Sequence, residues 1–210
     1  MQTRIRQLAV TAAGLGALVW GGSVWAHHPM GGVAPTTLGQ GLLSGLAHPV
    51  IGLDHLAFIL AIGVICALVG VRRLAYPVAL IGATVLGALA HWFGASVPLV
   101  EFVIGASVIA AGVMLLRFPE TLRLAAVPVV VAALFHGIAY GETIIGAEPM
   151  PVIAYLVGFG LIQSLLGGGA FLLTRWVMIR KPTRLRILRI GGGGMAAGVG
   201  TVALLLQILV

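Results

Sequence analysis

The chain has 210 residues, of which 60% are hydrophobic and 8% are charged, with a formal net charge of +7. Soluble domains carry about 25% charged residues, so this composition excludes an ordinary soluble domain and predicts an all-α polytopic membrane protein. The positive charge requires no nucleic-acid partner, because membrane topology accounts for it. The single cysteine, Cys66, excludes an intramolecular disulfide, and the 31 glycines predict closely packed helices.

The N-terminal residues 1–26 have the features of a signal peptide: two arginines, a short apolar stretch and a small-residue cleavage site. An uncleaved first transmembrane helix is the alternative. Cleavage after Ala26 would give His27 a free α-amine, and amine and imidazole together can chelate one metal ion, with His28 as a further donor. The competing interpretation of these two histidines is a mobile terminal tail.

The next segment, residues 27–48, is expected to be periplasmic. Its apolar part, residues 38–47, is too short to cross a bilayer and predicts an interfacial or re-entrant segment. A six-helix transmembrane domain is predicted over residues 49–210, and each span has about the 20 residues needed to cross the hydrocarbon. The predicted spans are residues 49–70, 74–93, 98–116, 122–140, 151–174 and 187–210.

The basic residues predict the topology, because all of them lie near the N-terminus or in alternate connections between spans. The positive-inside rule places these connections in the cytoplasm. The mature N- and C-termini are then periplasmic, and the protein is expected in the bacterial inner membrane, in contact with the lipid bilayer. The connections carry Arg72 and Arg73, then Arg117 and Arg123, then six basic residues from Arg175 to Arg189.

With this topology, all six histidines and four of the five carboxylates lie in the outer half. His91 is expected in the last turn of the second span, Glu101 in the first turn of the third, and His136 about one turn below the end of the fourth. Imidazole and carboxylate are the ligands that proteins offer to divalent first-row metals, so the pattern predicts a metal site. The alternatives are an interfacial anchor for His91 and a helix-dipole role for Glu101. The candidate ligands are His27, His28, His48, Asp54, His55, His91, Glu101, His136 and Glu142.

Residues 48–55, with the sequence HPVIGLDH, contain the densest group of these ligands. Proline is favoured at the first position of a helix, so Pro49 is expected to begin the first span. His48 and His55 would then share one helical face, because they are seven residues apart. Asp54 is either a ligand or a partner that fixes an imidazole tautomer. The alternative is a helix cap beside one hydrogen-bonded histidine.

The same residues closely resemble the H-P-x-x-G-x-D-H signature of the HupE/UreJ proteins, which are membrane proteins associated with hydrogenase and urease. The resemblance continues over nearly the whole chain after the signal peptide. The first motif is fairly specific and the others are supportive. The further matching segments are PLVE at 98–101, ASV at 106–108, FHGIAYGE at 135–142 and YLVGF at 155–159.

The resemblance implies a permease that imports a divalent transition metal ion and is not an enzyme. Ni²⁺ is the first expectation and Co²⁺ the second, while Zn²⁺ and Cu²⁺ are not excluded. Metalloenzyme maturation proteins and a homo-oligomer are compatible partners. The chain departs from the family pattern at Tyr140, where a second histidine is usual, and at Gly167, near a position that many members fill with histidine. Fewer nitrogen ligands alter the expected metal and its affinity.

Three other functions use the same residues. An intramembrane hydrolase would hold zinc with three histidines and activate its water with Asp54 or Glu101. A haem-binding electron carrier would use histidine axial ligands, and an assembly factor for a metalloenzyme would not transport. The glycine run at 191–194 lacks the Gly-Lys-Ser/Thr of a P-loop. It predicts a helix-packing surface, so transport is expected to be driven by gradients.

Overall fold

The computed structural model describes residues 33–117 and 126–209. The signal-peptide prediction and the histidines His27 and His28 lie outside these residues. The described part of the chain contains no strand, so the predicted all-α class is confirmed. Its elements are α1 (Leu38–Ile51), α2 (Leu53–Leu68), α3 (Ala75–Trp92), α4 (Val100–Arg117), α5 (Ala126–Gly141), a 3₁₀ turn (Glu142–Ile144), α6 (Pro149–Arg180) and α7 (Pro182–Leu209).

Five of these helices, α3 to α7, are long and apolar enough to cross a membrane. The pair α1 and α2 passes the same test only when taken together, and it bends by 78° at the break between its halves. The described chain therefore has five spans, or six if the bent pair counts as one. This helical membrane bundle agrees with the predicted fold class, and the predicted re-entrant segment corresponds to α1.

The prediction that Pro49 begins the first span is wrong. Pro49 lies inside α1, which ends at Ile51, and α2 begins at Leu53. Gly52 separates the two helices, and its backbone N–H donates to the carbonyl of His48. Pro49 removes the donor to the carbonyl of Gly45 and crowds that preceding turn, which weakens the end of α1.

The shared helical face expected for His48 and His55 is consequently absent, since the break places them on different helices. Gly52 has no side chain to displace the ring of His55. A Cβ added there would lie 2.8 Å from Cδ2 of that ring. The two imidazoles still come close, with ring centroids 6.3 Å apart, because the 78° bend folds one helix back toward the other.

The last two helices are longer than predicted. They extend through the segment expected as a basic loop, and only Lys181 separates α6 from α7. The basic residues therefore lie mostly on helix ends. Arg175 donates to the carbonyl of Arg72 at 2.8 Å, and Nε of Arg189 donates to the carbonyl of Leu115 at 3.3 Å. These contacts gather the cations at one end of the bundle.

Glycines set the closest helix contacts, as the composition predicts. A Cβ at Gly45 would meet the carbonyl oxygen of Tyr155, so α1 lies directly on the backbone of α6. A Cβ at Gly87 would lie 2.9 Å from Cα of Gly137, which brings α3 against α5. In the glycine run at 191–194, only Gly193 packs closely, against α4; the other three have nothing within 4 Å.

Candidate metal site

Four of the predicted ligands are buried together at the end of the bundle opposite the arginines. His48 comes from the end of α1, Asp54 and His55 from the first turn of α2, and His136 from α5. All four are less than 9% exposed. His136 lies five residues before the end of α5, which places the cluster about 8 Å inside that end.

His55 and His136 contact each other directly, since their Nδ1 atoms lie 2.7 Å apart. The His136 ring also stacks on Phe58, with centroids 4.1 Å apart. On its other nitrogen, Nε2 of His136 lies 2.9 Å from the hydroxyl of Ser107 on α4. Three helices, α2, α4 and α5, are therefore joined through one imidazole.

With both rings neutral, these bonds define one consistent set of tautomers. The Ser107 hydroxyl donates its single proton to the carbonyl of Ile104 at 2.7 Å, so its oxygen accepts from Nε2–H of His136. Nδ1 of His136 then accepts from Nδ1–H of His55. The other nitrogen of His55, Nε2, consequently keeps its lone pair, which is the form in which imidazole binds a metal.

His48 is held by two hydroxyl groups. Its Nδ1 lies 3.0 Å from the hydroxyl of Tyr155 and 2.9 Å from that of Thr143. When the Tyr155 hydroxyl donates to the carbonyl of Tyr140, at 3.1 Å, its oxygen accepts the Nδ1–H of His48. Nε2 of His48 then carries a lone pair as well. This is the usual arrangement of a metal-binding histidine, whose second nitrogen donates to a fixed acceptor.

Asp54 and Tyr140 border the two imidazoles. The carboxylate of Asp54 accepts from the backbone N–H of His55 at 2.8 Å, within the first turn of α2. A negative charge is stabilised at that end of a helix. The Tyr140 ring stacks on His55, with centroids 4.0 Å apart, and meets the edge of His48 at 4.9 Å.

A second, outer pair is formed by His91 and Glu142. Nδ1–H of His91 donates to the carbonyl of Ala95 at 2.7 Å, which leaves the lone pair on Nε2. That Nε2 lies 3.4 Å from a carboxylate oxygen of Glu142. A metal cation between that nitrogen and the carboxylate would be attracted by both. The side chain of Glu142 is 65% exposed, so the pair is accessible from outside the bundle.

Glu101 lies in the first turn of α4, as predicted, and is exposed. It precedes Ser107 by six residues, which places it about 9 Å nearer the helix end. Within the described residues, no three side chains of His, Cys, Asp or Glu are grouped closely enough to hold a metal ion.

Sequence reasoning gave no role to three residues that position the histidines. Ser107 and Tyr155 belong to motif segments, but nothing in those motifs indicated their hydrogen bonds. Thr143 carried no signal at all. Each acts from a different element on a ring that the sequence did identify. Only helix packing brings them together.

Comparison with known proteins gives two matches. A sequence model of the family described as HupE / UreJ protein matches residues 15–203. The protein named Protein HupE, from Rhizobium leguminosarum bv. viciae, is 29% identical over 146 residues, which cover 61% of this chain and 73% of that protein. No solved structure matches the chain.

Proposed function

Because this chain belongs to the HupE / UreJ protein family, we propose that it is a permease that imports a divalent transition metal ion across the bacterial inner membrane. The ion is cargo, and the protein catalyses no chemical reaction. The observation that supports this most is the buried group of three histidines and Asp54 at a broken helix. Ionisable side chains inside a membrane bundle are costly and mark ion pathways.

The broken helix supports transport in a second way. Transporters commonly build their sites from discontinuous helices, because the ends at the break offer polar groups to an ion. Here the break at Gly52 follows His48 by four residues and precedes His55 by three. A cation held by these rings contacts two half-helices at once. A change in the bend between them would alter its coordination.

In this proposal the ion meets the outer pair first. Glu142 attracts the cation from solvent, and Nε2 of His91 offers the first nitrogen. Glu101, exposed at the same end, adds negative charge near the entrance. Such charges raise the local concentration of cations and their rate of association. His27 and His28 would extend this collection if the chain is cleaved after Ala26, which N-terminal sequencing of membrane-extracted protein tests.

The ion then moves to the buried cluster. Nε2 of His48 and Nε2 of His55 are its nitrogen ligands, and Asp54 balances its charge. His136 orients His55, because both nitrogens of His136 are occupied by hydrogen bonds. Imidazole suits Ni²⁺, Cu²⁺ and Zn²⁺, and Ni²⁺ with Co²⁺ is the expectation from the family. A divalent cation that moves inward gains about 4.6 kcal/mol at 100 mV, enough for roughly a thousandfold accumulation.

The experiment is metal uptake into proteoliposomes, with Ni²⁺, Co²⁺, Zn²⁺ and Cu²⁺ compared at equal free concentrations. We expect time-dependent uptake of Ni²⁺ or Co²⁺ above protein-free liposomes. Absence of uptake for all four ions contradicts the proposal. Turnover of a lipid or peptide substrate with bound zinc would favour the hydrolase instead, and a Soret band in purified protein would favour the haem carrier.

A further inference from the structure

Two buried hydroxyl groups have no hydrogen-bond partner in the described part of the chain: Oγ of Ser44 and the hydroxyl oxygen of Tyr140. Ser44 is 1% exposed and Tyr140 is 0% exposed. Buried polar atoms in native proteins are nearly always hydrogen-bonded, so each exception needs a physical explanation. An unsatisfied buried hydroxyl lowers stability unless another species binds it.

Ser44 is also unusual among the hydroxyl residues of the described helices. Past the first helical turn, the others donate to a carbonyl three or four residues earlier, which is the usual way to satisfy a hydroxyl inside a helix. Ser44 lacks this bond. The hydroxyls that do make the bond are those of Thr84, Ser107, Ser164, Thr174 and Thr201.

Both hydroxyl residues adjoin the same imidazole. Ser44 precedes His48 by four residues on α1, so the two side chains are neighbours on one helical face. The Tyr140 ring contacts His48 at 4.9 Å and His55 at 4.0 Å between centroids. The two residues with unsatisfied hydroxyls thus both adjoin the cluster that holds the candidate ligands. Elsewhere in the described chain, buried side-chain polar atoms have partners.

Without these two hydroxyl oxygens, the buried cluster supplies too few ligands for a metal ion. No three His, Cys, Asp or Glu side chains come close enough to hold an ion among the described residues, whereas a divalent transition metal takes four to six donors. Resting on the permease function proposed above, we propose that the hydroxyl oxygens of Tyr140 and Ser44 are ligands of the transported ion, beside His48 and His55. Neutral hydroxyl oxygens bind less strongly than imidazole or carboxylate, which suits a site that must release its ion.

The test uses Tyr140→Phe and Ser44→Ala in the full-length protein, with Tyr155→Phe as the matched control. The measurements are metal-free melting temperature, the melting shift caused by Ni²⁺ or Co²⁺, and the KM of uptake. Removing an unsatisfied hydroxyl leaves the metal-free melting temperature of the first two variants equal to wild type or higher. Tyr155→Phe melts lower, because its hydroxyl makes bonds to His48 and to the Tyr140 carbonyl.

With metal present, Tyr140→Phe and Ser44→Ala are expected to need at least tenfold more ion for the same melting shift, and their KM should rise by the same factor. Wild-type metal affinity in both variants would overturn the inference. A fall in metal-free melting temperature as large as that of Tyr155→Phe would also overturn it, because the hydroxyls would then be structural. If wild-type protein itself binds and transports no ion, the permease proposal fails first, and that result is distinct from either outcome.

Discussion

Ser107 offers a direct check on the tautomers assigned to the buried histidines. Its hydroxyl oxygen accepts from Nε2–H of His136 at 2.9 Å, and His136 in turn accepts from His55 at 2.7 Å. Ser107→Ala removes the oxygen that holds the first proton in place. The lone pair on Nε2 of His55, which the proposal assigns to the metal, depends on that proton.

Two responses are open to the variant: the first lowers the metal-free stability, and the second weakens metal binding. If His136 keeps its tautomer, a buried N–H is left unsatisfied at a cost of about 1–3 kcal/mol. If it exchanges its proton to Nδ1, His55 must move its own proton to Nε2 and loses the lone pair that binds the ion. Restoring the binding form then costs a similar amount, and about 1–3 kcal/mol corresponds to roughly 5–150-fold in affinity.

The assay is a metal titration followed by melting temperature, together with the KM of uptake. If His136 exchanges its proton, Ser107→Ala should need about 5–150-fold more Ni²⁺ or Co²⁺ for the same melting shift. If His136 keeps its tautomer, the variant should instead melt lower without metal. Ser107→Thr, which keeps the hydroxyl, should stay near wild type. Ser164→Ala is the matched control, because the Ser164 hydroxyl donates to the Gly160 carbonyl within its own helix. Equal metal affinities together with equal metal-free melting temperatures for Ser107→Ala and Ser164→Ala would refute the tautomer assignment.

Two further predictions concern packing and topology. Gly45→Ala directs a methyl group at the carbonyl oxygen of Tyr155. It should therefore lower the free energy of unfolding by about 1–3 kcal/mol in a detergent melt. Gly39→Ala is the control and should not lower it, because a Cβ at Gly39 has nothing within 4 Å. A cysteine at Ala147, in a background without the native cysteine, should react with an impermeant reagent from the periplasm, and one at Thr183 only from the cytoplasm; the reverse pattern contradicts an inward-directed site.

Hydropathy and ligand placement predicted much of this molecule. His91 does lie in the last turn of its helix and Glu101 in the first turn of another, because apolar length fixes where spans start and stop. The position of His136, a little more than one turn before a helix end, also followed from span length. These features depend on the local sequence alone. They could therefore be predicted from the sequence without knowing how the helices pack.

The break at Gly52 could not be predicted in this way. A proline can lie at the first position of a helix or, at an energetic cost, inside its last turn. The positional preferences of proline favoured the first position for Pro49. In the structure His48 instead lies in the last turn of a helix and contacts Thr143 and Tyr155 on other elements. Such bonds depend on helix packing between residues 95 and 107 positions apart in the sequence. The unsatisfied hydroxyl of Tyr140 likewise cannot be predicted from the sequence, because it depends on the residues that surround the ring.

The measurement that tests the central claim most directly compares wild type with His55→Ala in oriented proteoliposomes under an imposed potential, negative inside. We predict that wild type accumulates Ni²⁺ or Co²⁺ and responds to the potential as expected for a divalent cation, about 4.6 kcal/mol per 100 mV. His55→Ala should fold but melt lower without metal, because Nδ1 of His136 loses its hydrogen-bond donor. It should lose at least about 90% of the uptake at subsaturating ion, since changes at the partners of metal ligands already cost at least about tenfold in affinity. Wild-type uptake by well-folded His55→Ala protein would contradict the account.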